Sequence, residues 1–317
     1  MSLTQSSFRT VLLNLAVAGI YLLMAKSGML FADYHPAAVS LWWPSGGFAL
    51  AVVLLTGFKY LPGIFLAAFI IRLGAGDPLL VSTAIALGNS LQAALGGWLL
   101  SQRMKFDVAI NRVHDFLQLI LIGAPLVAFT GAAIASAALM LAGLLDAESW
   151  LGFAIQSWMA DLLGIVLLTP LILVYQQKLD EGLTPKKLSE TTLIVGLTFL
   201  AGQVIFLGWF HELTSYYPKG FVMFLFISVT AIRLGRHGVL LVLMMTAIQA
   251  LMGASLGVGY FGNDIVETHL TSFWLFMLIL SVDGMVLATY IREKHQLALK
   301  NRHHDNQGLP DHCQRGG

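Results

Sequence analysis

The sequence predicts an all-α fold, a polytopic transmembrane helical bundle of about ten spans, and three observations predict it. Hydrophobic residues fill 57% of the 317 positions and charged residues only 11%, against roughly 45–50% and about 25% in soluble domains. The mean hydropathy is +0.78. The apolar residues also come in runs near the ~20 residues that a helix needs to cross a bilayer, divided by short polar turns. This composition excludes a disordered chain, a collagen-like fibre and a soluble enzyme fold over most of the length. The single cysteine, Cys313, excludes a disulfide scaffold and a multi-thiolate metal site.

Taken in order, the predicted spans cover residues 10–30, 39–56, 60–73, 79–100, 115–144, 151–176, 191–210, 220–234, 237–257 and 271–291. The first follows Arg9 and is too long for a typical signal-peptide core, so it reads as a retained span. The third and eighth are short. They join their neighbours through Gly57-Phe58-Lys59-Tyr60-Leu61-Pro62-Gly63 and Arg233-Leu234-Gly235-Arg236-His237-Gly238, and fusing each short pair would reduce the count to eight.

Charge favours ten, because short cytoplasmic loops concentrate Lys and Arg. With ten spans and both termini cytoplasmic, 15 of the 18 basic residues fall on the cytoplasmic side, including Lys59, Arg233 and Arg236. The exceptions are Lys26, Arg72 and Lys219, each near an outer helix end from which a long side chain can snorkel. Two stretches also look alike. Trp43-Pro44-Ser45-Gly46-Gly47-Phe48 and Tyr217-Pro218-Lys219-Gly220-Phe221 each open an apolar run that ends at a basic, glycine-containing turn. Both openings lie on the outer side, so a duplication here would be a parallel repeat; aromatic anchoring at the interface is the plainer explanation.

Polar residues inside the spans are the candidate site. Asp161 and Asp283 are acids well inside apolar runs, where a charge costs about 2.5–3.5 kcal/mol on insertion scales and marks a functional candidate. Trp158 lies three residues before Asp161, and Gly164 three after, which extends one helical face and permits close helix approach. Asn89 and Gln92, one turn apart on the fourth span, supply a second polar face, and the two faces are expected to meet in one pocket. Trp43 and Pro44 at an outer helix entry complete the candidates, with Asp283 secondary. Interhelical fastening is the competing role for all these groups, as for Gln156, Gln203 and Gln249. The outer-face residues Asp33, His35, Trp42 and Trp150 could frame a mouth, although paired Trp residues usually anchor the interface. His35, His211 and His269 lack a metal-ligand spacing, so no metal and no cofactor is expected. P-loop, Gly-x-Ser-x-Gly and His-Glu-x-x-His motifs do not occur, so no enzymatic activity is expected, and there is no basic, aromatic-interleaved surface for nucleic acid.

With these elements placed, the chain resembles the bacterial membrane-associated sensor domain of the first type, the MASE family. The resemblance rests on Trp43-Pro44-Ser45-Gly46-Gly47-Phe48-Ala49 leading to Gly57, then Leu61-Pro62-Gly63-Ile64-Phe65-Leu66. It continues in Gly88-Asn89-Ser90-Leu91-Gln92-Ala93-Ala94-Leu95-Gly96, and in Trp158-Met159-Ala160-Asp161-Leu162-Leu163-Gly164 followed by Thr169-Pro170-Leu171, in that order over about residues 11–291. It implies a sensory module of the bacterial inner membrane that reports to a diguanylate cyclase, phosphodiesterase or histidine kinase output. Residues 1–291 are then the membrane sensor domain. Residues 292–317 form a short cytoplasmic linker helix and a disordered tail in which no GGDEF or EAL sequence appears, as in a stand-alone or shortened relative. The expected partners are the lipid bilayer, a cytoplasmic signalling protein and a small ligand of unknown identity; a homodimer is left open. The alternative function is a small-solute transporter, suggested by the span count, the repeat and Asp161.

Overall fold

A computed structural model of the chain describes residues 3–30, 42–177, 184–210, 220–269 and 271–307. Asp33, His35, His211 and Tyr217 to Lys219, which the sequence reading assigns to the outer face, lie outside the described residues, as does Cys313. Among the described residues the fold is helical throughout: α1 (Leu3–Met29), α2 (Pro44–Thr56), α3 (Leu61–Gly74), α4 (Leu79–Trp98), α5 (Val113–Gln118), α6 (Ala124–Leu141), α7 (Trp150–Tyr175), α8 (Pro185–Phe206), α9 (Val222–Leu256), α10 (Asp264–Thr268) and α11 (Thr271–Gln307). A π-helical turn extends α4 to Arg103, and another joins α5 to α6. Among the described residues eight continuous helical stretches are long and apolar enough to cross a membrane.

Two of the eight fold back on themselves, which restores the ten segments. At the first, Gly57 takes φ 73° and ψ −164°, a backbone state open essentially to glycine. Gly46 approaches Gln92, Leu50 approaches Gly96 and Val53 approaches Gly97, so α2 runs parallel to α4. The four-residue link from α3 to α4 makes those two helices antiparallel, and α3 must therefore reverse the direction of α2. Asn14 of α1 fastens the reversal: its side-chain oxygen accepts from the Gly63 N–H at 2.9 Å while its amide donates to the Lys59 carbonyl at 3.5 Å.

The second reversal is at Gly235, with φ 65° and ψ −157° inside α9. Ile227 and Val239 both lie within 3 Å of the position a Cβ would take on Gly284 of α11. Twelve residues of straight helix would separate them by about 18 Å, so the chain doubles back between them. Both hairpins turn at the same end of the bundle. Phe58 lies near Gly97 at the end of α4, and the Arg236 guanidinium donates to the carbonyls of Ala109 and Ile110 in the loop that follows α4.

α7 is the central helix. Every residue from Met159 to Pro170 is buried, as expected of a helix that is apolar on all sides and packed on all sides. α8 begins earlier than the sequence reading places it, because Thr184 caps it by accepting from the Lys187 N–H at 3.3 Å, ahead of Pro185 in the first turn. α11 continues past Ile291 to Gln307, so helix covers residues 301–307 of the stretch read as tail.

Candidate functional site

The site forms where α2 is drawn against α7. A Cβ on Gly47 would overlap the Gly164 carbonyl, and one on Gly164 would overlap the Trp43 carbonyl, so the contact requires glycine on both helices. Pro44 starts α2 without an N–H to satisfy. The preceding N–H, of Trp43, donates to the Ala160 carbonyl at 3.2 Å, and the Thr169 hydroxyl donates to the Gly47 carbonyl at 2.9 Å. These bonds fix α2 beside the turn of α7 that carries Asp161.

Asp161 is only 7% exposed, and the Gln92 amide of α4 donates to its carboxyl group. Two glycines enclose this pair. A Cβ on Gly46 of α2 would stand 3.0 Å from Asp161 Oδ1 and 3.2 Å from Gln92 Nε2. A Cβ on Gly131 of α6 would stand 3.1 Å from Asp161 Oδ2 and would collide with Gln92 Oε1. Four helices thus converge on one carboxyl–amide pair, with space for it only because two of them present no side chain. Among the described residues Asp161 Oδ1 and Gln92 Oε1 are nonetheless buried without a hydrogen-bond partner, an arrangement that costs free energy unless something else satisfies them.

A cavity of about 270 Å³ opens beside Asp161. Asn89, Ser157 and Arg72 bring polar groups to its wall, Trp43 and Phe153 bring aromatic rings, and Met29, Ile85, Ala135 and Leu139 are among its apolar lining. Arg72 is held by Asp77 at 2.6 Å. A larger cleft of about 660 Å³ between α8 and α9 is lined chiefly by Phe199, Met244, Met245, Ile248 and Met252, with no ionisable side chain among the described residues. There Gln249 donates to the Phe199 carbonyl at 3.0 Å and fastens α8 to α9.

Of the residues singled out in the sequence, Asp161, Asn89 and Trp43 share the cavity, Gln92 reaches it through Asp161, and Pro44 positions the helix behind it. Trp158 does not line it. Its indole donates to the Pro125 carbonyl at 3.1 Å and leans on Trp274 of α11 with ring centres 5.9 Å apart. Asp283 is also elsewhere, on α11 facing α9, where it accepts from the Ser228 hydroxyl at 3.5 Å. Gly46, Gly131 and the Arg72–Asp77 pair were not anticipated. A small-residue run around Gly131 was the available signal.

An ionisable side chain held inside membrane-length helices, beside a cavity, places this fold among the polytopic membrane proteins with a buried polar site. More particularly, the chain belongs to the MASE1 family of membrane sensory domains, whose profile matches residues 13–295. No curated protein and no solved structure matches it.

Proposed function

We propose that the chain is a sensory module of the bacterial inner membrane that admits a small ligand to the Asp161 cavity and passes the resulting change along α11 to a cytoplasmic output partner, such as a diguanylate cyclase, phosphodiesterase or histidine kinase. The observation that carries this reading is a buried carboxyl oxygen with no partner among the described residues, beside a cavity, on a helix that α11 holds two residues before it: the Trp274 indole of α11 donates to the Met159 carbonyl at 3.0 Å. Membership of a sensory family supports it. So does the gathering of Lys59, Arg103, Arg112, Arg236 and the exit of α11 at one end of the bundle, the pattern expected of the cytoplasmic face. At that end Glu293 of α11 accepts from the Val113 N–H at 3.3 Å, which gives the exit helix a second hold on the bundle.

The test is an output fused to the C-terminus of the full chain. Asp161→Asn should leave the protein folded and membrane-inserted but fix the output in one state. A normal response from that variant would remove Asp161 from the sensing site. The two hairpins, with their matching glycine conformations, favour one second reading, a small-solute transporter built on a repeat. Flux of a bound solute into proteoliposomes would establish that reading in place of the first.

A further inference from the structure

We infer that the Asp161 cavity is a receptor site for a small organic ammonium compound, an amine carried on an apolar or aromatic body. The inference rests on the reading of this cavity as the sensing site and adds the chemistry of what enters it.

Charge is the first argument. Among the described residues two ionisable side chains line the cavity, Arg72 and Asp161, and Arg72 is neutralised by an ion pair with Asp77 at 2.6 Å. The remaining group is Asp161, whose described hydrogen-bond partner is the neutral amide of Gln92. An ammonium ion supplies both the opposite charge and the N–H donors that Oδ1 lacks. An anion would bring only acceptors to that oxygen.

The walls are the second argument. Trp43 and Phe153 line the cavity, and aromatic faces attract cations, most strongly where water is excluded. Asn89 and Ser157 provide further acceptors, while Met29, Ile85, Ala135 and Leu139 suit an apolar body. Size is the third. At about 270 Å³ the cavity lies just below the ~300–1,000 Å³ typical of sites for drug-sized ligands, which limits the body to something near a single aromatic ring.

The experiment uses the full chain in nanodiscs with three probes of one shape and three charges: 2-phenylethylamine, 2-phenylethanol and phenylacetate. Binding is followed by tryptophan fluorescence and calorimetry. The amine should bind saturably, the alcohol at least tenfold more weakly and phenylacetate not at all. Asp161→Asn should abolish the preference for the amine, and Ala135→Leu, which fills the cavity and leaves the carboxyl group in place, should weaken all binding. Equal or tighter binding of the alcohol or the acid, undiminished amine binding by Asp161→Asn, or no binding of any probe would each overturn the inference. The fused-output response of Asp161→Asn is read separately, so loss of the amine preference alone leaves the sensing assignment intact.

Discussion

The indole N–H of Trp274 on α11 donates to the backbone carbonyl of Met159 on α7, 3.0 Å away and two residues before Asp161. Trp158 packs against the same indole. The exit helix is therefore held at the turn of α7 that presents the buried carboxyl group, and a shift of that turn must move Trp274 or break its bond. Trp274→Phe keeps a ring at the contact and removes only the donor, a bond worth about 0.5–1.5 kcal/mol. The expected outcome is a small fall in melting temperature together with a weakened response of a fused output. An unchanged response would show that coupling runs by another contact, such as that between Glu293 and Val113.

The interlock of α2 and α7 predicts a position-dependent glycine series. Gly164→Ala pushes a methyl group into the Trp43 carbonyl, which is backbone and cannot swing aside, and overpacking of this kind costs about 1–3 kcal/mol. Gly152, on the same helix, has open space where its Cβ would be, so Gly152→Ala should be neutral or slightly stabilising through better helix propensity. Thermal unfolding in detergent should separate the two variants clearly. Equal melting temperatures would mean that the α2–α7 contact is looser than its geometry indicates.

Gly131→Ala should behave differently again, because the atom in its way is the end of the Gln92 side chain. That amide can rotate, so the fold should survive, but Gln92 would be displaced from Asp161. The variant is expected to melt near the wild-type temperature and to bind or respond as poorly as Gln92→Leu. A large loss of stability with an intact response would reverse the roles assigned to Gly131 and Gly164.

Asp161 and Asn89 were legible in the sequence because an acid or amide in an apolar run stands out wherever the helix eventually packs, and Trp43 because it stands before the proline that opens a span. The faces carrying Asp161 and carrying Asn89 and Gln92 were expected to meet, and Asn89 lines the same cavity as Asp161. The glycines were not legible in the same way, since Gly46 and Gly131 have the same apolar neighbours as glycines that merely pack. Trp158 shows the limit of spacing arguments. Three residues of α-helix turn through 300°, leaving it about 60° from Asp161 around the axis, enough to send its ring to α6 and α11 and away from α4. The hairpins were marked by their glycine-containing connections, and charge decided that the chain turns there. Lys59 and the Arg233/Arg236 pair required the chain to reach one face there, whereas continuous apolar helix would have hidden both turns. The depth of Arg236, 3% exposed, was not foreseen, because its partners are backbone carbonyls that no sequence pattern marks.

The last prediction concerns that residue and the reversal beside it. Gly235 holds φ 65° and ψ −157°, so Gly235→Ala imposes a backbone strain of order 1–3 kcal/mol although no neighbour obstructs a methyl group there. Arg236→Met has a different effect. It keeps much of the apolar stem but leaves the Ala109 and Ile110 carbonyls without the charged donor that holds them, and each bond to a charged group is worth about 1.5–3 kcal/mol. Both variants should therefore lower the melting temperature, but only Arg236→Met should loosen the loop that leads into α5, whose first residue, Val113, donates its N–H to Glu293 on the exit helix. Hydrogen exchange at residues 104–113 separates the two effects. Protection there should fall in Arg236→Met and persist in Gly235→Ala under conditions where both remain folded. Protection lost equally in both would mean that the hairpin, and not the guanidinium of Arg236, holds this loop in place.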